Sequence, residues 1–235
     1  MTKHGLFRYF KTSPEIIRLA LMEYVRFLLS LRNVEDLLHK RGIEISHETV
    51  RFWWNRVGPL FAAKILKNRV SRARSCTNWQ WHLDEVFVKI NGETHYLWSA
   101  VDHEGGVLES YVTKSRDRKA ALKFLKKIMK CYGQPEFIVK DKLRSYGAAM
   151  NVIGNASRQD TGRWRNNRAK NSHLPLRRRE HAMLRFRRMQ SMQKFASVHA
   201  TIYNHFNQQR QLNSRISFKP NRVSALSVWR QLCSE

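Results

Sequence analysis

Two carboxylates dominate the chemistry open to this chain. Asp84 lies in WQWHLDEVFVKI, a run that reads as a strand, and Asp141 closes the short apolar run EFIVKD. Asn91-Gly92 is a strong hairpin turn into a return strand, THYLWSAVD. HEGG turns the chain again into a third strand, VLESYVT. RDRKAALKFLKKIMKCYG is then an amphipathic helix with Ala121, Leu125, Ile128 and Met129 on one face, closed by Gly133. A right-handed crossover lays the fourth strand parallel to and beside the first, which brings Asp84 and Asp141 to one site. Two carboxylates held together repel unless a cation joins them. Oxygen ligands suit a hard ion such as Mg²⁺, and a pair of such ions about 4 Å apart assists phosphodiester chemistry. Either aspartate alone is better explained as surface charge or a strand end; the strand order that joins them makes the pair functional. Glu85, next along the first strand, is assigned no part in it. Asp102 reads as turn chemistry before HEGG.

The second chemical feature is positive. Residues 163–188, RWRNNRAKNSHLPLRRREHAMLRFRR, hold ten Lys and Arg against one acid, Glu180. Arg177, Arg178, Arg179, Arg185, Arg187 and Arg188 can neutralise phosphates, a contribution that depends on salt and not on base sequence. The 235-residue chain carries 44 Lys and Arg against 18 Asp and Glu, a formal charge of +26. Such an excess points to nucleic acid, with anionic membrane second. No apolar run reaches the length of about 20 residues that a spanning helix needs, and MTKHGLFRYFKTSPEI has no signal-peptide core. Cys76, Cys131 and Cys233 are odd in number and far apart, which fits a reducing cytoplasm and excludes a disulfide framework. Trp164 reads as a core residue, and His82 and His173 as structural histidines without a ligand role.

The elements that flank this middle region are helical. Ser13-Pro14-Glu15 starts a first helix that runs to about Leu29. A second opens near Leu31, carries Val34, Leu37 and Leu38 on one face and stops at Gly42. Ser46 caps a third, HETVRFWWNRV, which buries Val50, Trp53, Trp54 and Val57 and ends at Gly58-Pro59. Two short helices around a tight Gly-containing turn form a helix-turn-helix pattern, whose second helix presents His47, Glu48, Arg51 and Asn55 outward. These residue types read base edges. Residues 64–78 are basic and aperiodic, a linker able to track phosphates. MQKFASVHATIYNHFNQQRQL is a helix with Phe195, Val198, Ile202 and Phe206 on one side, packed on the sheet; a short final helix lies near Ser224–Leu232.

SLRNVEDLLHKRGIEISHETVRFWWNRVGP, WHLDEVFVKINGETHYLWSAVDHEGGVLESYVT, DKLRSYGAAM and the NNRAKNSHLPLRRRE segment together resemble the DDE-type insertion-sequence transposases of the IS-six branch. The resemblance spans nearly the whole chain. It implies an α/β, RNase H-like mixed sheet at 79–210, with three antiparallel strands, a helix and a parallel fourth strand. An all-helical helix-turn-helix region at 1–63 precedes it, joined by the 64–78 linker, and a tail with a short helix follows at 211–235. It also implies binding to terminal inverted repeats and target DNA at the bacterial nucleoid, an assembly of at least two copies, and Mg²⁺- or Mn²⁺-dependent strand cleavage and transfer. Asp84 and Asp141 match the first two of the three family acids. The third is a glutamate in the helical motif NNRAENSH, where this chain has NNRAKNSH and Lys170. Asp160 and Glu180 are the candidate substitutes, although Glu180 lies ten residues on, about 15 Å along an unbroken helix. Two readings follow: a transposase by descent with impaired catalysis, or a DNA-binding regulator derived from one.

Overall fold

The computed structural model describes residues 7, 10–27, 29–74, 80–141, 143–160, 166–182, 186–207 and 214–232, without the side chains of 72–74, 167, 168, 170, 181, 182 and 215. The chain divides into two compact units, one of Met1–Leu66 with Ile202–Glu235 and one of Lys67–Thr201.

In the first unit, α1 (Pro14–Arg26), α2 (Leu31–His39) and α3 (His47–Arg56) are followed by α4, which starts at Gly58 and continues to Arg74. Ser30 and Ser46 cap α2 and α3 by accepting from Asn33 N and Thr49 N. Ile17, Leu21, Val25, Val34, Leu38, Val50, Trp53 and Phe61 are buried, and Tyr24 meets Trp54 edge-on at 5.1 Å. The helical spacing read from the sequence therefore marks the inward faces correctly. Two boundaries differ. The first helix stops at Arg26, and 64–74, expected as part of a linker, is helical. Proline near the first helical position lacks only an N–H that has no partner there, so Gly58-Pro59 opens a helix and does not only close one. The C-terminal helix is also longer than expected: α10 runs Arg215–Gln231, capped by Ser214, with Pro220 inside it. Its Trp229 ring lies 4.9 Å from Phe61 and 5.0 Å from Phe206.

The second unit holds a five-stranded sheet in the order β3-β2-β1-β4-β5. The strands are β1 (Gln80–Ile90), β2 (Glu93–Val101), β3 (Val107–Thr113), β4 (Phe137–Lys140) and β5 (Gln159–Asp160). β1, β2 and β3 are antiparallel neighbours, and β4 lies parallel to β1. This is the mixed sheet expected, three antiparallel strands with a fourth parallel to the first. Asn91 and Gly92 both take positive φ, 51° and 86°, as the two-residue hairpin turn requires. The crossover is α5 (Arg118–Tyr132), capped by Asp117, and α6 (Arg144–Ile153) follows β4. Phe124 of α5 and Tyr146 of α6 pack on Trp98, so this helix pair covers one sheet face. The inward stripe of α5 includes Phe124, whereas Met129 is half-buried.

The other face carries α7 (Asn167–Ser172), α8 (Leu174–Ala182) and the first part of α9 (Met189–Phe206). Val88, Ile90, Leu97, Val112, Met192 and Ala196 form its apolar core. Ile202 and Phe206, at the other end of α9, belong to the helical unit. Asp160, expected in a loop, pairs beside Val139 in β5.

Asp102 organises the HEGG turn as expected. Its side chain accepts from Glu104 N and Gly106 N at 3.0 and 2.7 Å and pairs with Arg69 at 2.6 Å. Asp102→Ala removes the acceptor for all three groups, and loss of one partner from a buried ion pair is expected to cost on the order of 3 kcal/mol. Urea unfolding of the two proteins checks this; equal midpoints would contradict it.

Candidate metal centre and nucleic-acid surfaces

The register of β1 against β4 builds the acidic site. Their paired residues end at Leu83 opposite Lys140. One step further along each chain stand Asp84 and Asp141, just past the end of β4. The two aspartates expected to converge do so, and a third carboxylate joins them. Ligand oxygens of Asp84, Glu85 and Asp141 all lie within 4.8 Å of one another. Glu85 was not foreseen, because alternation along a strand sends neighbouring side chains to opposite faces. Asp84 does share its face with Val86, Val88 and Ile90, and Glu85 shares its face with Trp98 and Tyr146. They meet at Asp141 because no strand residue of β4 extends beyond Lys140 to separate them.

Each acid has a defined neighbour. Asp141 Oδ1 accepts from Leu143 N at 3.1 Å, which sets the chain into α6. Asp84 Oδ2 lies 3.3 Å from His173 Nε2. Glu85 Oε1 accepts from Arg116 at 3.1 Å, and the Arg116 guanidinium also stands over the Phe87 and Tyr96 rings. The Glu85 side chain is only 3% exposed, and among the described residues its Oε2 has no hydrogen-bond partner. Burial, followed by the charges of Asp141 and Asp84, pushes its carboxyl up to about 8, against the opposing effect of Arg116. The fully buried Tyr146 hydroxyl is likewise without a partner; burial and then the charges of Glu85, Asp84 and Asp141 push it well above the usual phenol range. Buried oxygens left without donors, crowded by like charge, fit a hard divalent cation.

The helix that carries Lys170 docks against this site. Just before it, Asn166 Nδ2 donates to Leu83 O at 2.8 Å, and just after it comes His173 beside Asp84. Ala169 is fully buried between these anchors. The Lys170 side chain lies outside the described residues, as do Trp164 and Arg185. The chain breaks helix at His173 and restarts with Pro175 in the first turn of α8. Neither acid considered as a substitute joins the group of three: Glu180 pairs with Arg177 at 2.7 Å, and Asp160 is on β5.

The basic arm divides by burial. Arg178, Arg187 and Arg188 are exposed. Arg177 is half-buried, tied to Glu180 and to the Phe87 carbonyl. Arg179, expected to meet phosphate, is completely buried and leaves the set of available cations. Its place on the inward face of α8 explains this; a run of three arginines around a helix cannot keep all of them outward. His199 of α9 is buried as well, stacked on Phe195 at 5.3 Å. Burial, and then the charge of Arg179, pushes the His199 imidazole down to about 3. The native state therefore resists a proton that the unfolded chain accepts, so stability is full above about pH 6.5 and falls as pH drops toward 3. The slope from this group approaches ~1.4 kcal/mol per pH unit. His199→Phe is expected to flatten the decline of urea midpoints between about pH 7 and 5.

On α3, Glu48, Arg51 and Asn55 are exposed, and Arg51 pairs with Glu48 at 3.0 Å. His47 is half-buried with its Nδ1 2.8 Å from Glu35. Phe52, on the same helix, is 57% exposed, an outward aromatic that the expected reading set did not include. Among the described residues, no helix is long and apolar enough to cross a membrane.

Residues 78–209 match the family model for the DDE domain of IS240-type transposases. The transposase for insertion sequence-like element IS431mec of Staphylococcus aureus is 33% identical over 144 residues, 61% of this chain and 62% of that protein. The transposase for insertion sequence element IS257 in transposon Tn4003, also from Staphylococcus aureus, matches with the same identity and coverage. An uncharacterized protein of Methanocaldococcus jannaschii is 30% identical over 157 residues, 66% of this chain and 67% of that one. The chain thus spans about 62% of the length of the staphylococcal relatives. Among solved structures, the magnesium complex of the HTLV-2 integrase catalytic core is similar over 61% of this chain and 97% of that one, at 12% identity and a TM-score of 0.42. The BIV integrase catalytic core is similar over 64% and 97%, at 14% identity and a TM-score of 0.39.

Proposed function

We propose that this chain, which belongs to the DDE-domain family of insertion-sequence transposases, binds the terminal inverted repeats of a mobile element. In this reading its site for metal-dependent strand cleavage and transfer is severely impaired by Lys170. The observation that carries the proposal is the convergence of Asp84 and Asp141 in a chain of charge +26. Those two aspartates would hold Mg²⁺ or Mn²⁺, which when bound polarises a phosphodiester and activates the attacking oxygen. The remaining work falls to the chain itself. Asn166 and His173 fix the helix bearing position 170 against the strand of Asp84. An ammonium on that helix adds positive charge where the family has a carboxylate, and it cannot ligate while protonated.

Arg178, Arg187 and Arg188 hold DNA by its phosphates, while Glu48, Arg51 and Asn55, with His47 positioned by Glu35, face the base edges from α3. Joining two element ends calls for at least two copies, working on nucleoid DNA in the bacterial cytoplasm. Each of Arg178→Ala, Arg187→Ala and Arg188→Ala is expected to lower the slope of log affinity against log salt by about 0.9. Gel shifts over a salt series check this, with terminal-repeat and unrelated DNA in parallel. Equal binding to both DNAs would remove the reader role from the N-terminal helices. Strand transfer by Asp84→Asn equal to that of the natural chain would remove the metal site. The second reading, a regulator that binds DNA without catalysis, is favoured by the place of Lys170 on the docked helix; it requires terminal-repeat binding together with undetectable strand transfer.

A further inference from the structure

We propose that Glu85 completes a single-cation site with Asp84 and Asp141, so that this chain retains three carboxylate ligands without an acid at position 170. The inference rests on the metal-site reading above and extends it to a residue outside the expected set.

Geometry is the first support. One oxygen from each of the three side chains falls within a 4.8 Å cluster, among the described residues the one such group of three. The strand order explains why this happens only here. Asp84 and Glu85 leave β1 on opposite faces, and both reach Asp141 because the paired residues of β4 stop one position short of it. Anywhere further down the β1–β4 ladder, backbone would stand between them.

The second support is independent of the acids. Tyr146, on α6, is completely buried, and among the described residues its hydroxyl has no hydrogen-bond partner, although it lies in the electrostatic reach of all three carboxylates. A buried hydroxyl without a partner is costly unless something absent from the protein chain satisfies it. A hydrated cation held by Asp84, Glu85 and Asp141 supplies a bound water for that purpose. Glu85 offers the matching acceptor: Arg116 occupies Oε1 and leaves Oε2 buried and unpaired. Arg116 contributes one positive charge against three carboxylates, and Lys140, buried beside them, has its Nζ near Gly147 of α6. Oxygen-only ligation selects Mg²⁺, Mn²⁺ or Ca²⁺ over thiophilic metals.

The test uses the full chain and Mn²⁺ alone, followed by the electron paramagnetic resonance of the free ion. The natural chain is expected to bind one Mn²⁺. Glu85→Gln, which keeps the shape and an oxygen for Arg116, is expected to weaken binding at least tenfold. Glu85→Asp, which retains charge and shortens the reach, is expected to fall between the two. If either variant binds Mn²⁺ as the natural chain does while Asp84→Asn does not, Glu85 is no ligand and the two-aspartate reading stands. If Asp84→Asn and Asp141→Asn also bind normally, the metal-site reading itself fails. Should Glu85→Gln not fold, Glu85→Asp decides the question in the same way.

Discussion

Lys170→Glu is expected to raise metal-dependent strand transfer on terminal-repeat DNA by about ten- to a thousand-fold over the natural chain. The change swings the local charge by two units on a helix anchored at Leu83 and beside Asp84. At about 4 Å and an effective dielectric near 20, one unit is worth roughly 4 kcal/mol. Solvent screening and side-chain movement cut this, leaving about 1.4–4 kcal/mol to appear in the barrier. Single-turnover strand transfer is the measurement, with Asp84→Asn placed on top of Lys170→Glu as the control. An active natural chain that gains nothing from Lys170→Glu would show that position 170 does not face the reacting phosphate. A reverted protein that remains silent would favour the regulator reading.

Arg179→Ala should destabilise the fold by on the order of 3–5 kcal/mol, while Arg178→Ala beside it changes stability little. The adjacent arginines differ in environment, not in chemistry. Arg178 is exposed, whereas Arg179 is fully enclosed, close enough to His199 of α9 to depress its imidazole. Truncation removes a long stem packed in a fully enclosed place and leaves a cavity there. Urea unfolding of both variants separates the roles, and the salt slope of DNA binding gives the complementary reading. A stable Arg179→Ala protein with a reduced salt slope would return Arg179 to the phosphate-binding set.

Much of the sheet unit was legible in the sequence, because its signals are local. Asn91-Gly92 announces a hairpin, Gly133 closes an amphipathic helix, and the handedness of a crossover then forces β4 beside β1. Asp84 and Asp141 follow from that order alone. Glu85 does not, since strand alternation argues against it, and only the early end of β4 lets it reach Asp141. Arg179 was misjudged for a similar reason: a charge run in sequence does not reveal which member the helix turns inward. Gly58-Pro59 was read as a stop although the same dipeptide starts α4. Pro220 hid most of α10, since proline inside a helix sacrifices a hydrogen bond that tertiary contacts must offset. The contacts responsible, Trp229 with Phe61 and Phe206, join segments far apart in sequence.

Those contacts bear on the order of events at the ribosome. The helical unit takes its core from segments on either side of the sheet unit, with Trp229 Nε1 donating to Arg18 O and Lys64 reaching Leu232 O. The sheet unit, by contrast, uses one unbroken stretch, Lys67–Thr201. Synthesis therefore releases everything needed for the sheet while α1, α2 and α3 still await α10, reversing the usual sequence in which the earlier unit matures first. A nascent chain cut short after Thr201 would carry all three acids but leave Phe61 without Trp229, so premature termination would yield an aggregation-prone fragment and not a smaller working protein.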